Sequence, residues 1–327
     1  MTGSPGTLPE ARNKRRDRIL NLLKIAVSLV GLIIIVRTQD MAAVVGHLRD
    51  MDWPLFLVAF LLSVGGVPVR AYRWGSLVWA LGVRVGWWRL VELYFVGSFF
   101  NLFLPTGVGG DAVKIYELSR DDHKAAAAIS SVLVDRFLGL FVLFAMALLA
   151  LIGGYSLVPF EVWVLILIVF AGSLIAVVLL LQRTWIEALG RRLGVGRLLG
   201  RFKILRELYG SLHLYGPAAL LRATVASVAF NLMLVLTNYF LGLAVGMDAG
   251  LWYYFLFVPI ISAVLTLPSV GGLGVREATY VVLFSQIPGV SETQAAALAF
   301  AYLITLVANG LIGGVVYLIQ GMREARK

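Results

Sequence analysis

The sequence contains no cysteine and only three histidines. Without cysteine, disulfides, iron–sulfur clusters and thiol catalysis are excluded. His47, His123 and His213 are too widely separated to give a metal-ligand spacing, so we expect no metal site and no cofactor. The phosphate-binding loop G-x-x-x-x-G-K-[ST] is also missing, which argues against direct use of ATP.

Charge is scarce as well, at 14% of 327 residues, whereas 60% are hydrophobic, and the mean hydropathy is +0.89. A soluble domain of this length could not bury so much apolar surface, so the composition predicts an all-α polytopic membrane protein. The net charge of +10 points to lipid head groups and loop topology rather than to nucleic acid. The polar start of the chain does not resemble a cleavable signal peptide, and no protein partner can be named.

Six apolar segments are long enough to cross a bilayer, which takes about 20 residues. They are Ile19–Val36, Trp53–Val69, Ala125–Gly153, Val162–Leu181, Ala223–Val245 and Ala295–Ile319. Two further apolar segments, Leu90–Val113 and Leu251–Phe284, are interrupted by proline and glycine.

Lysine and arginine concentrate in cytoplasmic loops, which decides how these two segments lie. The tail 1–18, the loop 182–222 and the tail 321–327 are basic. They share one side of the membrane only if each interrupted segment enters the bilayer and returns. We therefore predict about six transmembrane helices and two re-entrant helical hairpins in the cell membrane, with both termini cytoplasmic.

The interruptions resemble each other: "LPTGVGGDAVK" covers 104–114 and "LPSVGGLGVRE" covers 267–277. Tryptophans open both segments, at 87–88 and at 252. We predict two inverted repeats, 19–153 with a hairpin at about 87–118 and 154–320 with a hairpin at about 250–285, a layout that secondary transporters use. Glycine allows the chain to reverse and proline ends a helix. The predicted turn residues are Pro105, Gly107, Gly109, Gly110, Pro268, Gly271, Gly272 and Gly274.

The segments "FNLFLPTGVGGDAVKIYELSRD", "SSVLVDRFLGL" and "LPSVGGLGVREA" resemble the flippase-like transmembrane domain of the lysylphosphatidylglycerol synthase family. The resemblance covers nearly the whole chain from about Ile19. In the two-domain synthases this membrane domain is thought to flip an aminoacylated phospholipid that a soluble domain makes. The sequence stops at Lys327 without that soluble domain, so we expect no synthase activity.

Ionisable groups inside a membrane cost roughly 2.5–3.5 kcal/mol each on insertion scales, so they pair or line a polar pathway. A guanidinium binds phosphate through two parallel hydrogen bonds and stays charged, which makes Arg136 and Arg276 the first candidates for a lipid phosphate. The candidate substrate-binding residues are Arg276, Arg136, Lys114, Asp111, Asp135, Glu277, Arg70, Arg73 and Asn101.

A structural role is the alternative for these charges. Asp135 and Arg136 are adjacent and cannot share one helix face, so we expect each to pair with a different helix. Arg276 has Asp135 or Glu277 as possible partners. Amides in membrane helices either line a hydrophilic groove or join helices; here they include Asn231, Asn238 and Asn309.

Arg70 and Arg73 are expected at the cytoplasmic end of the second span. Interfacial anchoring is the ordinary role there, and gathering lipid phosphate at an entrance is the alternative. The loop 182–222 alternates leucine with arginine at helical spacing, so we expect it to lie on anionic lipid at the cytoplasmic interface.

Three functions fit these patterns. The first is a flippase that moves a phosphate-bearing lipid between leaflets: an anionic or aminoacylated phospholipid, or a polyprenyl phosphate. The second is a membrane enzyme acting on a lipid phosphate, although no acidic pair has metal-binding spacing and no histidine lies nearby. The third is a scaffold subunit. We favour the flippase, with membrane lipids as its partners and no enzymatic activity.

Overall fold

The fold was described from a computed structural model that covers residues 33, 37–103, 109–122, 125–154, 156, 158–181, 214–264 and 273–324. Within these ranges the regular structure is helical, as predicted. Ten helices follow one another along the described parts of the chain. In order they are α1 Met41–Arg49, α2 Trp53–Ala80, α3 Trp87–Phe103, α4 Gly109–Asp122, α5 Ala125–Gly154, α6 Phe160–Leu181, α7 Pro217–Ala244, α8 Leu251–Val264, α9 Val275–Phe284 and α10 Glu292–Glu324.

Five of these helices, α2, α5, α6, α7 and α10, are long and apolar enough to cross a membrane. They correspond to five of the six predicted spans, and the prediction of a polytopic helical membrane protein is confirmed. The predicted first span, Ile19–Val36, lies outside the described residues apart from Ile33. The basic tail 1–18 and residues 182–213 of the predicted interfacial loop also lie outside them.

Helix α2 extends past the predicted end of the second span. It runs for 28 residues to Ala80, so Arg70 and Arg73 lie inside the helix and not at its end. Arg73 is only 6% exposed, which excludes an interfacial anchor. The helix tolerates the arginines because their guanidinium groups are covered by partners on other helices, as described below.

The two interrupted segments form helical hairpins. Helix α3 packs along α4, with Gly97 beside Gly110 and Arg89 bound to Glu117, so the two run antiparallel. In the second half α8 packs along α9 in the same way, and Phe284 meets the ring of Phe257 at 5.2 Å. The links at 104–108 and 265–272 lie outside the described residues. Whether the hairpins are re-entrant stays a prediction.

The two halves of the chain contact each other reciprocally. Helix α2, the span before the first hairpin, packs on α7, the span before the second hairpin. The first hairpin packs through α3 on α10, and the second hairpin packs through α8 on α5. Each hairpin therefore lies against the last span of the other half. Two repeats related by a twofold axis give this pattern, so it supports the predicted repeat, while its orientation across a membrane stays a prediction.

Helices α3 and α10 approach closely because glycines line their contact. A methyl group at Gly313 would overlap the carbonyl oxygen of Phe95, and one at Gly314 would lie 2.9 Å from the ring of Phe99. Small residues allow this kind of backbone approach in membrane helices. The contact joins the first hairpin to the second half.

We expect Gly313→Ala to destabilise the protein by about 1–3 kcal/mol, because the added methyl must push α3 away from α10. Thermal unfolding in detergent measures the change. Gly321→Ala in the same helix is the matched control, since nothing lies within 4 Å of its new methyl group. Alanine there should be neutral or stabilising by roughly 0.5–1 kcal/mol. Equal melting temperatures for the two variants would contradict the close packing.

Candidate functional site

A cavity of about 290 Å³ lies between the two halves. Four helices line it, each with residues at a spacing of three or four, the pattern of one helix face. Helix α2 contributes Ser63, Val67 and Arg70; α3 contributes Tyr94, Gly97, Ser98 and Asn101; α7 contributes Phe230, Met233, Leu234 and Thr237; α10 contributes Tyr302, Leu306 and Asn309. The first turns of α4 and α9 complete the wall with Gly110, Asp111, Lys114 and Arg276.

Lys114 and Arg276 occupy equivalent positions in the two similar motifs, one in each half of the chain. Both line the cavity, and both are buried, at 4% and 1% exposure. The packing of the two halves thus brings the cation that follows each helix break into one space. This juxtaposition could not be derived from either motif alone.

Arg70 is held between two aromatic faces. Its guanidinium carbon lies 4.9 Å from the ring centre of Tyr94 and 5.1 Å from that of Phe230. Its Nε atom is buried and donates no hydrogen bond to a described residue. No carboxylate of the described ranges lies within salt-bridge distance either. Arg70 is therefore a cavity-lining cation that, among the described residues, contacts ring faces and no carboxylate.

Asp111 joins two cations. Its carboxylate accepts from Lys114 Nζ at 2.7 Å and also pairs with Arg136 of α5. Lys114 Nζ in addition lies 4.2 Å from the ring centre of Tyr94. Asp111 and Lys114 line the cavity, whereas Arg136 does not. Arg136 therefore lies behind the lining of the cavity, where it pairs with Asp111, a residue of that lining.

Arg73 and Asp135 form a buried ion pair next to the cavity. The Nε and Nη2 atoms of Arg73 donate to the two carboxylate oxygens at 2.7 and 2.9 Å, and the Tyr94 hydroxyl donates to Oδ2 at 2.9 Å. The missing side chain of Gly139 makes room for the guanidinium. The expectation that Asp135 and Arg136 pair with other helices is confirmed. Neither Arg73 nor Asp135 lines the cavity.

Glu277 is fully buried beneath Arg276 and holds the start of α9 together. Its Oε2 accepts from the backbone N–H of Gly274 at 2.6 Å, and its Oε1 accepts from Arg276 Nε at 3.0 Å. Gly274 has φ of +81°, a left-handed conformation that favours glycine. The backbone conformation thus explains the predicted turn glycine. Glu277 pairs with Arg276 but does not itself line the cavity.

Asn101 fastens the first hairpin, since its Oδ1 accepts the N–H of Gly110 at 2.7 Å. That N–H belongs to the first turn of α4, where a helix leaves donors unpaired. The other amides mostly join helices: Asn231 contacts the carbonyl of Gly139, Asn238 accepts from Tyr280, and Asn309 donates to Ser63. The remaining predicted turn residues, Pro105, Gly107, Pro268, Gly271 and Gly272, lie outside the described residues.

Tyr94, Phe230 and Tyr302 were not anticipated from the sequence. They belong to stripes in which a polar residue recurs three, four or seven positions away on an apolar helix, as in Tyr94, Ser98 and Asn101. A search for such stripes could have found the lining of the cavity. The charged residues alone do not indicate these aromatic ones.

The cavity favours an anion. Three cations and one carboxylate are among its lining residues, and that carboxylate is shared with Arg136 outside the wall. Three of its residues also carry a buried polar atom without a hydrogen-bond partner in the described structure: Arg70 Nε, Thr237 Oγ1 and Asn309 Oδ1. Buried polar groups are normally satisfied, so such a cluster marks a place for a polar ligand.

The fold and site define a multi-pass membrane protein with a polar, basic cavity between two helical hairpins. The chain belongs to the family described as the lysylphosphatidylglycerol synthase TM region, whose profile matches residues 21–313. The resemblance seen in the motifs is thereby confirmed.

Two curated relatives share parts of the sequence. A UPF0104 membrane protein of Pyrococcus horikoshii is 24% identical over 163 residues, which are 49% of this chain and 48% of that protein. A UPF0104 membrane protein of Archaeoglobus fulgidus is 25% identical over 136 residues, 41% of this chain and 42% of that protein. The matches thus span about half the length of these relatives or less.

Removing the acid of the buried ion pair should be severe. We expect Asp135→Asn to destabilise the protein by about 3–5 kcal/mol, because it leaves Arg73 charged and uncompensated. Glu117→Gln, which breaks the partly exposed pair with Arg89, is the matched control and should cost no more than about 1 kcal/mol. Thermal unfolding in detergent compares them, and a similar loss for both would show that burial of the Arg73 pair is unimportant.

Proposed function

We propose that this protein is a lipid transporter that moves a phosphate-bearing lipid between the leaflets of the cell membrane. The observation that carries the proposal is the convergence of Arg70, Lys114 and Arg276 on one cavity between the two halves of a membrane protein. A lipid phosphate that crosses the apolar core needs neutralisation on the way, and these side chains supply it.

The wall of the cavity is suited to a group with a charged head and an apolar body. Beside the cations and the hydroxyl and amide groups lie Leu62, Met233 and Leu306, which offer apolar surface. Small-molecule sites in proteins combine an apolar lining with a few placed polar groups in this way. The reciprocal packing of the hairpins adds support, because repeats that move against each other around a midplane site give alternating access.

Among the cavity cations, Arg70 allows the cleanest test. Neutralising Arg276 strands the buried carboxylate of Glu277, and a loss of transport would then be confused with a loss of folding. Arg70 has no acidic partner among the described residues, so Arg70→Gln leaves no carboxylate behind. Arg84, which is exposed in the link between α2 and α3, offers the same change of charge away from the cavity.

We expect the purified protein in vesicles to move fluorescent phosphate-bearing lipids between leaflets, as followed by quenching of the outer leaflet. Arg70→Gln should lower the rate at least about tenfold, since it removes a cation that faces the lipid phosphate. Arg84→Gln should retain the full rate. Folded wild-type protein that moves no lipid, including lipids extracted from the cell, would contradict the proposed function.

A further inference from the structure

We infer that the cavity selects a lipid whose head group is a phosphate monoester, carrying two negative charges, over one with a phosphate diester or an aminoacylated head group. The inference rests on the proposed function and deepens it by naming the class of head group. Two observations carry it: the charges that line the cavity and the surroundings of Arg70.

The lining charges leave an excess of two positive charges. Arg70, Lys114 and Arg276 face one carboxylate, Asp111. Glu277 is the acid that pairs with Arg276, but its two oxygens are taken by Arg276 and Gly274 and it does not line the cavity. A phosphate monoester carries a charge of about −1.5 to −2 at pH 7, as phosphorylated side chains do, whereas a diester carries −1. The monoester therefore matches the excess more closely.

Arg70 keeps hydrogen-bond donors for a phosphate. Its guanidinium carbon lies 4.9 and 5.1 Å from the ring centres of Tyr94 and Phe230, and no carboxylate of the described ranges pairs with it. Guanidinium groups bind phosphate oxygens through two parallel hydrogen bonds. A monoester offers three terminal oxygens to the groups around it, and a diester offers two. Thr237 and Asn309 add polar atoms to the same cavity.

An aminoacylated head group fits the lining charges less well than a bare phosphate. It brings an ammonium ion beside Arg70, Lys114 and Arg276, where the like charges repel.

The second ionisation of a phosphate monoester, near pH 6, gives the inference a pH signature. The charged and titratable groups that line the cavity are Arg70, Tyr94, Asp111, Lys114, Arg276 and Tyr302, and those bound to them from behind are Arg73, Asp135, Arg136 and Glu277. None is a histidine, the side chain that ordinarily titrates in this interval. As the pH falls through 6 the monoester loses one negative charge, so its affinity should fall, while that of a diester should not.

The test is calorimetric titration of the full chain in detergent with short-chain lipids at pH 7.5 and 5.5. The ligands are dioctanoyl phosphatidic acid as the monoester, dioctanoyl phosphatidylglycerol as the diester, a lysylated phosphatidylglycerol as the cationic head group, and glycerol 3-phosphate as a soluble monoester. We expect phosphatidic acid to bind at least about tenfold more tightly than the diester at pH 7.5, since one more charge faces the cations. The preference should shrink at pH 5.5.

Two variants and a control complete the design. Arg70→Gln should lose at least about tenfold in affinity for phosphatidic acid together with the preference for it. Arg70→Lys, which keeps the charge but not the paired donors, should lie between the variant and the wild type. Arg84→Gln should bind as the wild type does. Melting temperatures of all four proteins establish that they are folded.

Several results would overturn the inference: tighter or equal binding of the diester or the lysylated lipid, a preference that does not depend on pH, or no binding of phosphatidic acid to folded protein. Glycerol 3-phosphate binding as tightly as phosphatidic acid would overturn the assignment to a lipid. These results are separate from the proposed function. Selective binding without leaflet exchange would refute only the transporter, and leaflet exchange without monoester preference would refute only the head-group class.

Discussion

Each charge that a membrane protein buries in its apolar interior has to be compensated nearby, and here the ion pair between Arg73 and Asp135 positions what surrounds it. It joins α2 to α5, and its carboxylate also holds the hydroxyl of Tyr94 on α3. Tyr94, fixed in this way, turns its ring toward Arg70 and Lys114. Two of the three cavity cations thus contact a ring that is held by an ion pair outside the cavity lining.

The two halves contribute unequally to the site. Their equivalent cations, Lys114 and Arg276, meet in the cavity, but the first half also supplies the buried pair of Arg73 and Asp135. Among the described residues of the second half, the buried ion pair is Arg276 with Glu277, and α7 is joined to α9 by a neutral contact between Asn238 and Tyr280. Most buried ionic groups of the described ranges therefore lie in the first half.

Much of this arrangement could be predicted from the sequence where the signal is local. Apolar length revealed the spans, and the paired motifs revealed the hairpins, because proline and glycine act on the backbone within a few residues. The end of α2 could not be predicted in the same way. Two arginines in an apolar segment indicate the end of a membrane helix unless a partner compensates them. The partner of Arg73 is Asp135, 62 residues away, and the local sequence does not reveal it. Tyr94 and Phe230 were not predicted because aromatic residues are common on apolar helices, and the sequence does not show which of them contact a cation.

The proposed transport requires release of what is bound, so the cavity cations need partners when the ligand is gone. For Lys114 that partner is Asp111, whose carboxylate binds both Lys114 and Arg136. In the proposed cycle Lys114 would turn toward a phosphate while Arg136 keeps Asp111 compensated, and would return when the phosphate leaves. Arg70 has ring faces in place of a carboxylate, and these attract a cation only weakly. The excess positive charge of the cavity therefore remains when no phosphate is bound, and it is this charge that would attract the proposed ligand.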